Sequence, residues 1–140
     1  MKRVLIIDEQ REPLGYYVRA LQRVGLEVDQ VFDVDSGFDR ACNPSLDLLI
    51  LDCMLPPGKR YQDADTQLGL RTGVVFLEEL RTIRPHLPVV VLTNTTEAET
   101  LQRLNGYPPV WVLSKLDYPP YDLADQVSEI LSSTPDWGKK

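Results

Sequence analysis

The sequence predicts an α/β protein built on one doubly wound parallel sheet with helices on both faces. Three observations predict it. Five short β-rich runs alternate strictly with helical patterns, and strict alternation requires right-handed crossovers that lay helices on both sides of a sheet. Val4 to Ile7, Leu48 to Leu51 and Val89 to Leu92 are apolar without interruption, as strands buried on both faces must be. Each of these runs then ends in a polar residue, and in such sheets the carboxyl ends of the strands form the functional crevice.

Val4 to Ile7 is the first strand. Leu14, Tyr17, Val18, Leu21 and Val24 then recur at spacings of three and four, the stripe of a helix that Gly25 ends. Pro13 is tolerable only in its first turn. Glu27 to Phe32 alternates polar and apolar, which suits an outer strand, and Asp35 or Ser36 would cap a short helix reaching Cys42. Leu48 to Leu51 is the third strand. The third helix follows on the stripe Gly73, Phe76, Leu77, Leu80 and Ile83, with Glu78, Glu79 and Arg81 on its wet side. Val89 to Leu92 is the fourth strand, and Thr96 with Glu99 reads as a capping box for a helix carrying Ala98, Leu101 and Leu104 as far as Asn105-Gly106. Val110 to Leu113 is the fifth strand. Leu123, Ala124, Val127, Ile130 and Leu131 form the last helix, opened near Pro120. The expected organisation is a single domain over 1–132, with an insertion within 57–72 and a flexible tail over 133–140 that includes Trp137.

A chain of 140 residues buries roughly two thirds of its unfolded surface and needs no staple. Its net charge of −6 and pI near 4.7 argue against direct nucleic-acid contact, which wants clustered Lys and Arg. No apolar run approaches the ~20 residues of a membrane span, and the four apolar residues after Met1-Lys2-Arg3 are too few for a signal-peptide core, so a cytoplasmic protein without membrane insertion is expected. Cys42 and Cys53 lack the paired spacing of a zinc site and are expected as thiols. His86, in the turn RPHLP, is expected on the surface.

The strand ends deliver Asp8 and Glu9, Asp52, Thr93 and Asn94, and Ser114 and Lys115 to one edge. Carboxylates gathered there repel one another unless a cation compensates them. Hard oxygen ligands with room for water suit Mg²⁺. Beside a metal and Lys115, Asp52 becomes a carboxylate nucleophile able to accept a phosphoryl group as an acyl phosphate, with Thr93 and Lys115 placed to bind the phosphoryl oxygens. Any one of these residues alone is usually a cap or turn residue; it is the joint pattern that points to chemistry.

VLIIDEQ, LLILDCMLP, VVVLTN and VWVLSK, in this order, resemble the receiver domain of two-component response regulators, over about residues 2–131. The resemblance implies a five-stranded sheet of order 2-1-3-4-5, the flavodoxin-like arrangement. It implies Asp52 as phosphoacceptor, Glu9 and Asp52 as direct Mg²⁺ ligands with the Met54 carbonyl, Asp8 as the acid that holds metal-bound water, Thr93 as the switch hydroxyl and Lys115 as the lysine that pairs with the phosphoryl group. The implied donor is a phosphohistidine on a sensor histidine kinase or a phosphotransfer protein, and the implied output is contact with a further protein. The resemblance implies no enzyme beyond Mg²⁺-dependent self-phosphorylation and self-dephosphorylation.

The chain departs from that pattern at four places. Asn94 stands where the family has a small residue, and Val112 stands where it has the switch aromatic. Trp111 precedes Val112 but faces the other way on a strand. Lys115 is followed by Leu116 instead of proline, and Gly106-Tyr107-Pro108-Pro109 replaces the usual turn. Gly73 lies 17 residues past Pro56, an extension carrying Lys59, Arg60, Asp63, Asp65 and Arg71 that reads as a polar surface insertion beside the site. The expected function is a stand-alone receiver; the alternative is a receiver-like interaction module that needs no phosphate. A hydrolase of the haloacid dehalogenase type would want a second acid where this chain has Met54.

Overall fold

A computed structural model describes residues 1–133. Five strands, β1 (Arg3–Ile7), β2 (Glu27–Val31), β3 (Leu48–Asp52), β4 (Val89–Thr93) and β5 (Val110–Ser114), alternate with five helices: α1 (Arg11–Arg23), α2 (Val34–Ala41), α3 (Thr72–Arg81), α4 (Ala98–Asn105) and α5 (Pro120–Ser133). The strands form one parallel sheet in the order β2-β1-β3-β4-β5, as expected. Ser133 still belongs to α5; the rest of the expected tail, Trp137 included, lies outside the described residues.

The period of two along a strand divides the core in two. Leu5, Ile7, Leu49, Leu51, Val89 and Val91 face α2, α3 and α4 and pack on Val34, Phe38, Val74, Leu77, Leu80 and Leu104. Their neighbours Val4, Ile6, Leu48, Ile50, Val90 and Leu92 face α1 and α5 and pack on Leu14, Val18, Leu21, Leu123, Val127 and Ile130. The same alternation sends Val112 to the α3/α4 side and Trp111 to the α1/α5 side, so the tryptophan does not stand in for an aromatic at 112.

Several local expectations are corrected. The cap of α2 is Asp33, whose carboxylate accepts from the Ser36 amide at 2.7 Å; Asp35 lies inside the first turn and is used elsewhere. Thr96 and Glu99 form no capping box, because α4 starts after Glu97 and has no side-chain cap. Arg81 is not on a wet face: its guanidinium donates to the carbonyls of Tyr107, Arg84, Leu87 and Pro109 at 2.7–3.0 Å, and burial lowers its pKa to about 10. Helix α3 ends at Arg81, which leaves Ile83 half exposed.

Residues 53–71 run from the end of β3 to α3 as a series of turns that bury Leu55, Tyr61 and Thr66. The segment is tied down on two sides. Asp35 accepts from the Lys59 and Arg60 amides at 3.0 and 2.9 Å. Arg60 makes a two-pronged pair with Glu79 at 2.9 and 3.0 Å, and the Tyr61 hydroxyl donates to the same carboxylate at 2.7 Å. The segment then returns to its origin: the Gly73 amide donates to the Cys53 carbonyl at 2.8 Å. A Cβ on Gly73 would stand 2.6 Å from the Cys53 Cα, so only glycine lets α3 begin against the end of β3.

Candidate functional site

Parallel strands share one carboxyl edge, so the residues closing β1, β3, β4 and β5 meet there. Ile7 pairs in register with Leu51, Asp52 with Leu92, and Thr93 with Ser114. Asp8, Asp52 and Thr93 are 5%, 6% and 2% exposed, too enclosed for surface caps. Lys115 Nζ bridges the two acids, at 3.2 Å from Asp52 Oδ2 and 3.3 Å from Asp8 Oδ2. The other oxygen of each carboxylate is held by main chain: the Met54 amide donates to Asp52 Oδ1 at 3.1 Å and the Gln10 amide to Asp8 Oδ1 at 3.0 Å.

The electrostatics follow from enclosure. Burial pushes the Asp52 carboxyl up to about 6, with the Asp8 charge adding to the rise and Lys115 and the Met54 amide opposing it. Burial alone would lower the Lys115 ammonium, but Asp52 and Asp8 together outweigh it and hold it above its ordinary value. Cys53 is pushed up to about 11, by burial and then by the Asp52 charge, and stays a thiol. Tyr17, half-buried on α1, feels both Lys115 and Asp8; its place in an apolar stripe concealed that proximity.

Asp52, Asp8 and Lys115 converge as expected, and Glu9 is exposed beside them. Among the described residues no group of three or more His, Cys, Asp or Glu side chains converges on a metal position. The donor chemistry still fits Mg²⁺, which takes one or two carboxylates and keeps several waters: Asp8 and Asp52 supply hard oxygens, with the Met54 carbonyl and Glu9 at the same edge. The Thr93 hydroxyl accepts from the Thr95 amide at 3.0 Å and is a hydrogen-bond partner of Cys53. Asn94 is exposed and His86 is exposed, as expected for the latter. The cis peptide among the described residues is Pro108-Pro109, so the Lys115-Leu116 bond is trans, and Lys115 reaches both acids all the same.

Sequence reasoning missed the partners of five residues, Asp35, Glu79, Arg71, Glu97 and Glu99. Asp35 and Glu79 anchor the inserted segment, and Arg71 pairs with Glu97 and Glu99 at the start of α4. No periodicity marks a polar side chain whose partner lies on another element, so no local signal identified them.

Comparison with known proteins places this geometry. No family model matches the chain. In sequence it is similar to the transcriptional regulatory protein DltR of Streptococcus agalactiae, 26% identical over 104 residues, which is 74% of this chain and 40% of DltR. The match thus spans less than half the length of that relative. In structure it is similar to a CheY-like response regulator receiver domain protein from Methanospirillum hungatei (TM-score 0.77, 23% identity, 97% of this chain and 98% of that one). It is also similar to the Francisella response regulator 1452 receiver domain (0.75, 18%, 96% and 99%) and to the chemotaxis response regulator CheY4 of Vibrio cholerae (0.71, 22%, 94% and 99%). The fold is that of CheY-like response regulator receiver domains: a five-stranded parallel sheet of order 2-1-3-4-5 with five helices.

Proposed function

We propose that the protein is a receiver that accepts a phosphoryl group on Asp52 from a phosphohistidine of a sensor kinase or phosphotransfer protein and signals through contact with another protein. The observation that carries the reading is the buried Asp52 bridged by Lys115 to Asp8 at the carboxyl edge of this fold. In the transfer, an Asp52 carboxylate oxygen bonds to phosphorus as the N–P bond of the donor breaks; the electron pair of that bond returns to the imidazole, which takes up a proton.

The main-chain amide of Met54 keeps the Asp52 carboxyl group in one orientation. Lys115 needs no approach to the phosphoryl oxygens, since its ammonium already faces Asp52 Oδ2. The Thr93 hydroxyl lies at the adjoining strand end and can donate to a phosphoryl oxygen after turning from its present partners. Asp8, Asp52, the Met54 carbonyl and Glu9 are the groups that would hold Mg²⁺, whose contribution is to offset the negative charge gathered on the phosphoryl oxygens. Among the described residues no helix is long and apolar enough to cross a membrane.

Incubation with Mg²⁺ and acetyl phosphate, followed by intact mass, tests the reading. One added phosphoryl group in the wild type and none in Asp52→Asn is expected. The second reading, an interaction module that needs no phosphate, is favoured by Val112 on β5; it predicts no adduct at any donor concentration.

A further inference from the structure

We propose that Arg71, at the end of the inserted segment, is a positioning residue for the transfer: a latch that holds the Thr93 hydroxyl away from Asp52 until a phosphoryl group arrives. The proposal rests on the reading of Asp52 as phosphoacceptor.

Besides its bond with Cys53, Thr93 is tied through a series of hydrogen bonds, joined by the residues that make them, to the start of α4 and the inserted segment. The Thr95 amide donates to Thr93 Oγ1 at 3.0 Å, and the Glu97 amide donates to Thr95 Oγ1 at 3.2 Å. The Glu97 carboxylate accepts from Arg71 Nε at 2.9 Å, from Arg71 Nη2, and from the Thr100 hydroxyl at 2.5 Å. Arg71 Nη2 also reaches Glu99 Oε2 at 3.4 Å. The switch hydroxyl, the turn after β4, the start of α4 and the inserted segment are therefore one connected unit.

The arginine is the fixed end of that unit. Its side chain is 12% exposed, against 52% for Glu97 and 70% for Glu99. Its amide donates to the Thr66 carbonyl at 2.8 Å, and two residues further on Gly73 is bonded to Cys53. On its other side, the Leu70 carbonyl accepts from Cys53 Sγ at 3.6 Å. Arg71 is thus mounted on the residue next to Asp52, while the turn it grips belongs to Thr93. For Thr93 to donate to a phosphoryl oxygen its O–H must turn from Cys53, and as Oγ1 moves toward Asp52 it draws on the bond it accepts from the Thr95 amide and shifts the turn that Glu97 closes against the Arg71 grip. Phosphorylation and release of the latch are then coupled, and coupling between two sites is reciprocal: loosening the latch favours the phosphorylated state.

The test uses the full chain with Arg71→Ala, Arg71→Lys and Glu97→Gln. Adduct formation with Mg²⁺ and acetyl phosphate is followed by intact mass, and amide exchange at Thr95 and Glu97 is measured with neither reagent present. Arg71→Ala and Glu97→Gln are expected to exchange faster at those two amides and to be phosphorylated about two- to fivefold faster, the range that an exposed ion pair supplies, with Arg71→Lys restoring most of the wild-type behaviour. An arginine with a merely structural role would lower thermal stability without changing the rate of phosphorylation. Unchanged exchange at Thr95 and Glu97 overturns the latch, as does an unchanged rate in both charge-removing variants. Should Arg71→Ala fail to fold, Glu97→Gln at its exposed position decides. If the wild type takes up no phosphoryl group, it is the reading of Asp52 that fails, and slower or equal exchange in the variants sinks the latch separately.

Discussion

Asp52 and Lys115 stand 63 residues apart in the chain and 3.2 Å apart in space. Their strands are not neighbours; β4 runs between them, so only a long side chain can cross to the acid. That crossing also brings the ammonium within 3.3 Å of Asp8. One cation thereby serves two buried carboxylates, and it does not offset the burial that, with the Asp8 charge added, pushes Asp52 up to about 6.

This imbalance predicts a pH-dependent stability. The folded-state pKa of Asp52, about 6, lies above its ordinary value of 3.8, so the folded protein holds the proton more tightly than the unfolded chain. The penalty is fully present above pH 6 and is relieved as the pH falls from 6 towards 3.8. Without Mg²⁺, Asp52→Asn is expected to be more stable than the wild type at pH 7.5, on the order of 1–3 kcal/mol, with the difference vanishing near pH 4. Urea midpoints across that range check it.

Magnesium should act on the same imbalance. A cation held by Asp8 and Asp52 offsets their repulsion, so Mg²⁺ is expected to raise the melting temperature of the wild type at pH 7.5. The rise should shrink as the pH falls below about 6 and disappear in Asp52→Asn. Thermal scans with and without Mg²⁺ at several pH values provide the measurement, and an equal rise in Asp52→Asn would remove Asp52 from the ligand set.

Gly73 should be intolerant of even one carbon. The atoms a Cβ would meet are the Cys53 Cα at 2.6 Å and the Asp52 carbonyl oxygen at 2.9 Å, main-chain atoms that cannot rotate aside. Gly73→Ala is expected to cost about 1–3 kcal/mol and to displace the end of β3. Denaturant unfolding reads the first effect, and a slower reaction of Asp52 with acetyl phosphate reads the second.

The inserted segment should loosen when Asp35 is changed. Asp35→Ala removes the acceptor of the Lys59 and Arg60 amides at a cost of about 1 kcal/mol, and exchange at those two amides should rise while β-sheet amides stay protected. These bonds, with the Lys59 amide first, hold the Asp35 carboxyl below its ordinary value of 3.8. A depressed acid stabilises above its unfolded pKa and loses that contribution as the pH falls through the folded one, so acidification below pH 3.8 should free the same amides. Gly58→Ala should have a similar effect, since its Cβ would lie 2.6 Å from the Asp35 carboxylate.

The sheet and the residues of its carboxyl edge were legible in the sequence for one physical reason. A central parallel strand is buried on both faces, so Val4 to Ile7, Leu48 to Leu51 and Val89 to Leu92 announce themselves as uninterrupted apolar runs, and the polar residue that ends each one is conspicuous. Asp8, Asp52 and Thr93 could be named on that ground, and Lys115 by its place just after the fifth apolar run, Val110 to Leu113. The side chains whose partners are distant could not. Arg81 sits at a helical position that is polar by type, yet carbonyls from the Arg84 to Leu87 turn and from Tyr107 and Pro109 enclose it. Asp35 looked like a cap because Asp, a turn and a helix occur together; the cap is Asp33, and Asp35 is taken by amides 24 and 25 residues away. The segment 57–72 looked solvated because its residues are polar, whereas Arg60 and Arg71 spend their charge on α3 and α4.

The central claim is that Asp52 carries the phosphoryl group, and an acyl phosphate can be read directly. The protein is treated with Mg²⁺ and acetyl phosphate, reduced with borohydride, and digested for peptide sequencing by mass spectrometry. Reduction converts an aspartyl phosphate to homoserine, and homoserine at position 52 alone is the expected result. Homoserine at Asp8 or another acid, or an unaltered aspartate at 52 in a protein that has gained a phosphoryl group, would contradict the account.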